Sequence, residues 1–98
     1  MSFPIIDTHC DLLSYLARIP DANPYAKDEI ACAIPWLQDG NVRMQILAIY
    51  TDVKPESMDL AKRQALIFSE LLEKYDIDLA YADAGFLQNW DKQNFIGI

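Results

Sequence analysis

Residues 42–51 read VRMQILAIYT, and residues 56–75 read ESMDLAKRQALIFSELLEKY. The first run is β-branched and aromatic-rich, and it is almost continuously apolar after Arg43 and Gln45. That is the pattern of a strand buried on both faces, as in a parallel sheet. The second run sets Leu60, Gln64, Ile67 and Leu71 beside Met58, Ala61, Ala65, Phe68 and Leu72, a stripe of helical spacing. Glu56 and Asp59 lie in its first turns, where the helix dipole favours anions. A buried strand followed closely by an amphipathic helix is half of a βα unit, and repetition of that unit builds a parallel sheet.

Working outward, the β-favouring pair Ile5-Ile6 predicts a strand over residues 3–9. Leu12, Leu13, Leu16 and Ala17, with Asp11 in front, predict a helical turn or two over residues 11–18. Pro20, Asn23 and Pro24 break regular structure and give a loop through Lys27. Residues 28–37 read as a short helix or an irregular stretch, and Asp39-Gly40-Asn41 reads as a turn. Past the long helix, residues 77–82 form a third short strand. Asp83 is placed to cap a helix over residues 84–92, against the helix-weakening Gly85. Residues 94–98 begin a fourth strand. The order of elements predicts an α/β domain with a parallel sheet, with no internal repeat and no low-complexity segment.

Ninety-eight residues allow one small domain, residues 1–98, with no second. The chain is 52% hydrophobic and 23% charged, the balance of a globular protein. Eight Lys and Arg against fifteen Asp and Glu leave a net charge of −7, which argues against a nucleic-acid partner, since phosphate needs a basic face. No apolar run approaches the roughly 18 residues of a membrane span. Residues 1–6 lack the charged, apolar and small-residue regions of a signal peptide. Cys10 and Cys32 have no CxxC spacing and are too few for a disulfide framework. A reduced, cytoplasmic setting is expected.

His9-Cys10-Asp11 is where chemistry concentrates. If the extended backbone persists to Asp11, then Asp7, His9 and Asp11 share one face and Ile6, Thr8 and Cys10 the other. An imidazole and a carboxylate two residues apart can aim at one point, and Zn²⁺ accepts both at about 2.0–2.2 Å. The tripeptide by itself is more often a capping or hydrogen-bonding pair than a metal site. Asp7 is either an acceptor that orients His9 or a strand-end partner of backbone. Cys10 is either a soft ligand near a metal or a buried packing thiol, and its parity favours packing. There is no Ser-His-Asp arrangement, phosphate loop or EF-hand spacing.

Three blocks occur in order: Asp7-Thr8-His9-Cys10-Asp11-Leu12 after an apolar strand; Ile34-Pro35-Trp36-Leu37 with Gly40, Gln45 and a strand ending Tyr50-Thr51; and Phe95-Ile96-Gly97-Ile98. Together they resemble the membrane (renal-type) dipeptidase family of zinc peptidases, whose members open Asp-Gly-His-Asn-Asp-Leu. The resemblance covers essentially the whole chain apart from residues 20–33. It implies a (β/α)8 TIM-type barrel with its site at the C-terminal ends of the strands, of which this chain would be the first βα units. It implies two zinc ions sharing a bridging Glu, with His9 and Asp11 as metal ligands of one ion. It also implies hydrolysis of a dipeptide substrate by a metal-activated water. Tyr50 falls where the family has an aromatic residue near the substrate pocket, core packing being the other reading. Cys10 and Ser14 depart from the family's Asn and Trp. Trp36 and Trp90 are assigned to packing.

The chain has one histidine, where the paired site needs three. We therefore expect an N-terminal fragment, with no complete catalytic set in these residues and no activity in isolation. The alternative is a small acidic, non-catalytic α/β module that self-associates through the edge at residues 96–98. A homo-oligomer is expected.

Overall fold

The computed structural model describes residues 3–51, 54–92 and 94–98. Ile5 and Ile6 start β1 (Ile5–Asp7), and the chain then turns into α1 (Leu12–Arg18). After a loop come α2 (Ile34–Asp39), β2 (Val42–Gln45) and the long α3 (Ser57–Lys74). The remaining elements are β3 (Leu79–Ala80), α4 (Ala84–Leu87), a 3-10 turn at Trp90–Lys92 and β4 (Ile96–Gly97). All four strands are parallel and lie in the order β1-β2-β4-β3. The protein is thus an α/β fold built on a small parallel sheet.

Local sequence explains most of the boundaries. Pro35 sits in the first turn of α2, where its missing N–H costs no helical hydrogen bond. Asn41 takes φ 58°, the left-handed region that Asn tolerates, and so turns the end of α2 directly into β2. Asp83 caps α4 by accepting the Phe86 N–H at 2.9 Å. The helix expected over residues 84–92 divides into the four residues of α4 and a separate 3-10 turn. Gly85, about 1 kcal/mol worse than Ala inside a helix, is a local reason for that early end.

Two strands are shorter than the sequence predicts. The β1 ladder stops at Asp7, not residue 9, because the backbone turns to enter α1. The β2 ladder stops at Gln45, although Ile46 N donates to Asp7 O at 3.0 Å and Ala48 N to Cys10 O at 2.8 Å. Burial on both faces does not extend past the ladder, for Ile46, Ile49 and Tyr50 are each about half exposed.

The core gathers Cys10, Leu12, Leu13, Ile34, Leu37, Leu71, Leu79 and Ile96 from both ends of the chain. β4 reaches this core between β2 and β3, with Met44 opposite Gly97 on one side and Leu79 opposite Ile96 on the other. Its central position depends on Gly97. A Cβ at that residue would lie 2.5 Å from the ring of Phe86, itself only 7% exposed. Here glycine serves close approach, not backbone freedom.

Candidate functional site

His9 and Asp11 lie just past the C-terminal end of β1. Asp11 occupies the position before α1 with φ −98° and ψ 28°, and its side chain caps nothing in the helix. The carboxylate is left to meet the imidazole, with His9 Nε2 3.2 Å from Asp11 Oδ1. Both side chains remain open to solvent, at 68% and 55% exposure. Two ligand atoms about 2.0–2.1 Å from one tetrahedral zinc stand about 3.3 Å apart, so this spacing suits a shared ion. Two ligands are not a complete site. Among the described residues, no group of three or more His, Cys, Asp or Glu side chains is arranged to hold a metal.

Asp7 has a different partner from the one the strand pattern anticipates. Its Oδ2 accepts Gln45 Nε2 at 2.6 Å, a bond across the β1–β2 ladder where the two residues are in register. The common face expected for Asp7, His9 and Asp11 depends on extended backbone through Asp11, and the ladder ends before it. Gln45 is 1% exposed, and its amide also donates to Ile46 O at 3.2 Å. Its Oε1 is buried with no hydrogen-bond partner among the described residues. Sequence reading took Gln45 as a polar interruption and as part of the second block, without giving it a partner. An amide inside an otherwise apolar run was the available clue.

Tyr50 is not packed into the core, being 48% exposed. Gln64, at 0% exposure on α3, accepts the Tyr50 N–H at 3.0 Å and donates to its carbonyl at 2.7 Å. The amide thereby holds the backbone as a neighbouring strand would. The guanidinium of Arg18 lies 5.5 Å from the ring centroid, a cation–π contact that adds α1 to the same support.

Cys10 is buried although Ile6 and Thr8, expected on the same face by strand parity, are exposed, and Cys32 packs against the same core cluster. The interaction between the two thiols, together with burial, raises the pKa of Cys10; it lowers that of Cys32, where burial acts in the opposite direction.

The loop carrying Cys32 is fixed at several points. Trp36 Nε1 donates to Lys27 O at 2.8 Å, and Lys27 Nζ lies 4.2 Å from the Trp36 ring centroid. Trp36 is therefore a half-exposed clasp, where packing was expected. Tyr15 donates to Glu29. Tyr25 donates to Asp78, and its phenol is pushed well above the ordinary tyrosine value by burial and by that carboxylate.

Among the described residues, no helix is long and apolar enough to cross a membrane. No family model, curated protein or solved structure matches the chain.

Proposed function

We propose that this chain forms the opening βα units of a (β/α)8-type zinc dipeptidase, with His9 and Asp11 as two ligands of one metal ion. The observation that carries the reading is the 3.2 Å separation of His9 Nε2 and Asp11 Oδ1 beyond the end of β1, matched to ligands of a common ion. The parallel β1–β2 pair and the exposure of both side chains support it. In this reading β1, β2 and β4 correspond to successive barrel strands, and β3 is an addition at the edge of β4.

The chain's own residues hold, support and orient. His9 offers an imidazole nitrogen and Asp11 a carboxylate oxygen. The segment that bears them is tied to the sheet by the bonds from Ile46 N to Asp7 O and from Ala48 N to Cys10 O. When bound, zinc supplies Lewis acidity at the peptide carbonyl and acidifies the attacking water. Tyr50, held by Gln64 and Arg18, is the proposed wall of the dipeptide pocket. The remaining ligands, further histidines and a bridging Glu, belong to polypeptide outside these residues.

The test is a zinc titration followed through the imidazole NMR signals, which are unambiguous because His9 is the sole histidine. Saturable movement of those signals, weakened in Asp11→Asn, is expected. Signals unmoved by zinc would remove the basis of the proposal. The 98-residue chain should not hydrolyse dipeptides. In an enzyme carrying the full ligand set, His9→Ala should abolish hydrolysis.

A second reading, self-association of a small acidic module, cannot use the edge expected at residues 96–98, because β4 is paired on both sides by β2 and β3. Another edge favours it. β1 is an outer strand whose Ile5 and Ile6 are 46% and 45% exposed. A homo-oligomer would cover them.

A further inference from the structure

We propose that the cavity between α1 and α3 binds a small organic carboxylate with a benzene-sized apolar body, its anionic end held by Arg63. The cavity has a volume of about 150 Å³. An aliphatic cavity of that size accepts a benzene ring. Neither His9 nor Asp11 lines it, so binding here does not depend on a metal.

The walls suit an apolar body. Leu16 of α1 faces Ile67 and Leu71 of α3 across the cavity, and Leu71 is 3% exposed. Tyr75, just past the end of α3, adds an aromatic wall. Its ring is braced by Tyr25 in an edge contact, with 5.3 Å between centroids. Ala22 and Pro24 close the cavity on the loop side. There Ala22 N donates to Ile19 O at 3.2 Å, and Ile34 N donates to Pro24 O at 2.8 Å. Hydrogen-bonded backbone therefore fixes the rim.

Charge decides the other end of the ligand. Arg63, Glu70 and Lys74 line the cavity, and Arg63 also lines an adjoining groove with Arg18, Lys54, Glu56 and Asp59. Half of the chain's eight Lys and Arg thus gather here with only three of its fifteen Asp and Glu, against a net charge of −7 for the whole. Glu56 and Asp59 offset Arg18 and Lys54. Glu70 precedes Lys74 by one helical turn, the favourable order for such a pair. Arg63 is the surplus cation. Among the described residues no carboxylate forms an ion pair with it, so its planar fork can take a ligand's carboxylate in two parallel bonds. Ile67 follows Arg63 by one turn on the same face of α3, which sets that carboxylate beside the apolar wall.

The test titrates sodium benzoate into the isotopically labelled 98-residue chain at constant ionic strength, followed by amide and methyl NMR signals. Saturable shifts are expected at Leu16, Ile67 and Leu71, with the His9 imidazole unmoved. Benzylamine, a similar ring carrying a cation, should not saturate, and benzyl alcohol should bind more weakly than benzoate. Arg63→Gln, an exposed substitution, should weaken benzoate binding by about tenfold or more. Ala22→Leu, which fills the cavity from its rim, should abolish it while the ligand-free spectrum stays dispersed. Shifts that rise without saturating, shifts centred on His9, equal binding of benzoate and benzylamine, or an unchanged constant in Arg63→Gln would each overturn the proposal.

Discussion

Gln45 and Gln64 are both buried amides, yet they are not equally satisfied. Gln64 gives and receives at the backbone of Tyr50, whereas Gln45 donates to Asp7 and its Oε1 finds no partner among the described residues. A buried polar group stripped of its partner costs about 1–3 kcal/mol, while an amide already half unsatisfied has less to lose. Gln64→Leu should therefore lower stability in urea unfolding by about 1–3 kcal/mol, and Gln45→Leu by clearly less. The bond from Gln45 also bears on zinc. Because it occupies the Asp7 carboxylate, Asp7→Asn should leave the zinc response of the His9 imidazole nearly intact, while Asp11→Asn should diminish it. Equal loss in the two variants would return Asp7 to the orienting role read from strand parity. Tyr25 supplies the pH dependence. Its folded pKa is raised, so the neutral phenol is favoured in the folded state. That contribution is complete below the unfolded value of about 10 and is lost as pH rises through the higher folded value. Stability should fall at alkaline pH, and Tyr25→Phe should flatten the fall, as followed by unfolding across the range of tyrosinate absorbance.

Among the elements, β4 shows how a two-residue strand is fixed by its neighbours. Gly97 pairs with both Met44 and Ala80, and the Phe86 ring of α4 occupies the space where a side chain would stand. Gly97→Ala should cost about 1–3 kcal/mol by overpacking. Adding Phe86→Leu should recover part of that loss, so that the double variant is more stable than the sum of the single effects predicts. Additive losses in chemical denaturation would mean that the ring is not the obstacle. The same elements explain what the sequence reveals of the fold. The α3 stripe, the turn at Asn41 and the Asp83 cap rest on local chemistry and were legible. The place of β4 between β2 and β3 was not, because strand order depends on packing between distant segments and leaves no periodic trace. At the site, the pairing of His9 with Asp11 is two residues long and readable. The clamp of Gln64 on Tyr50 joins positions 14 apart through a side chain, and helical spacing had absorbed Gln64 into the apolar stripe. That Cys10 and Cys32 share one core cluster was hidden by the irregular loop between them.

At the scale of the whole molecule, two tendencies oppose each other. The sheet presents β1 at its outer edge, with Phe3, Ile5 and Ile6 exposed, and a strand with one unpaired side invites another. In the barrel proposed above, a neighbouring strand would cover that edge. In the isolated chain a second copy is the available cover, but each copy carries a net charge of −7 and repels the other. Salt screens this repulsion, with a Debye length of about 10 Å at 0.1 M, while leaving apolar contact in place. Association measured by sedimentation equilibrium should therefore strengthen as sodium chloride is raised. Ile6→Lys separates the two causes. The substitution removes apolar area from the edge, yet it makes the net charge less negative by one. If the edge drives association, the variant should be more monomeric than the wild type at every salt concentration. If repulsion alone governs it, the variant should associate more strongly. The sign of that change decides whether β1 is the contact surface.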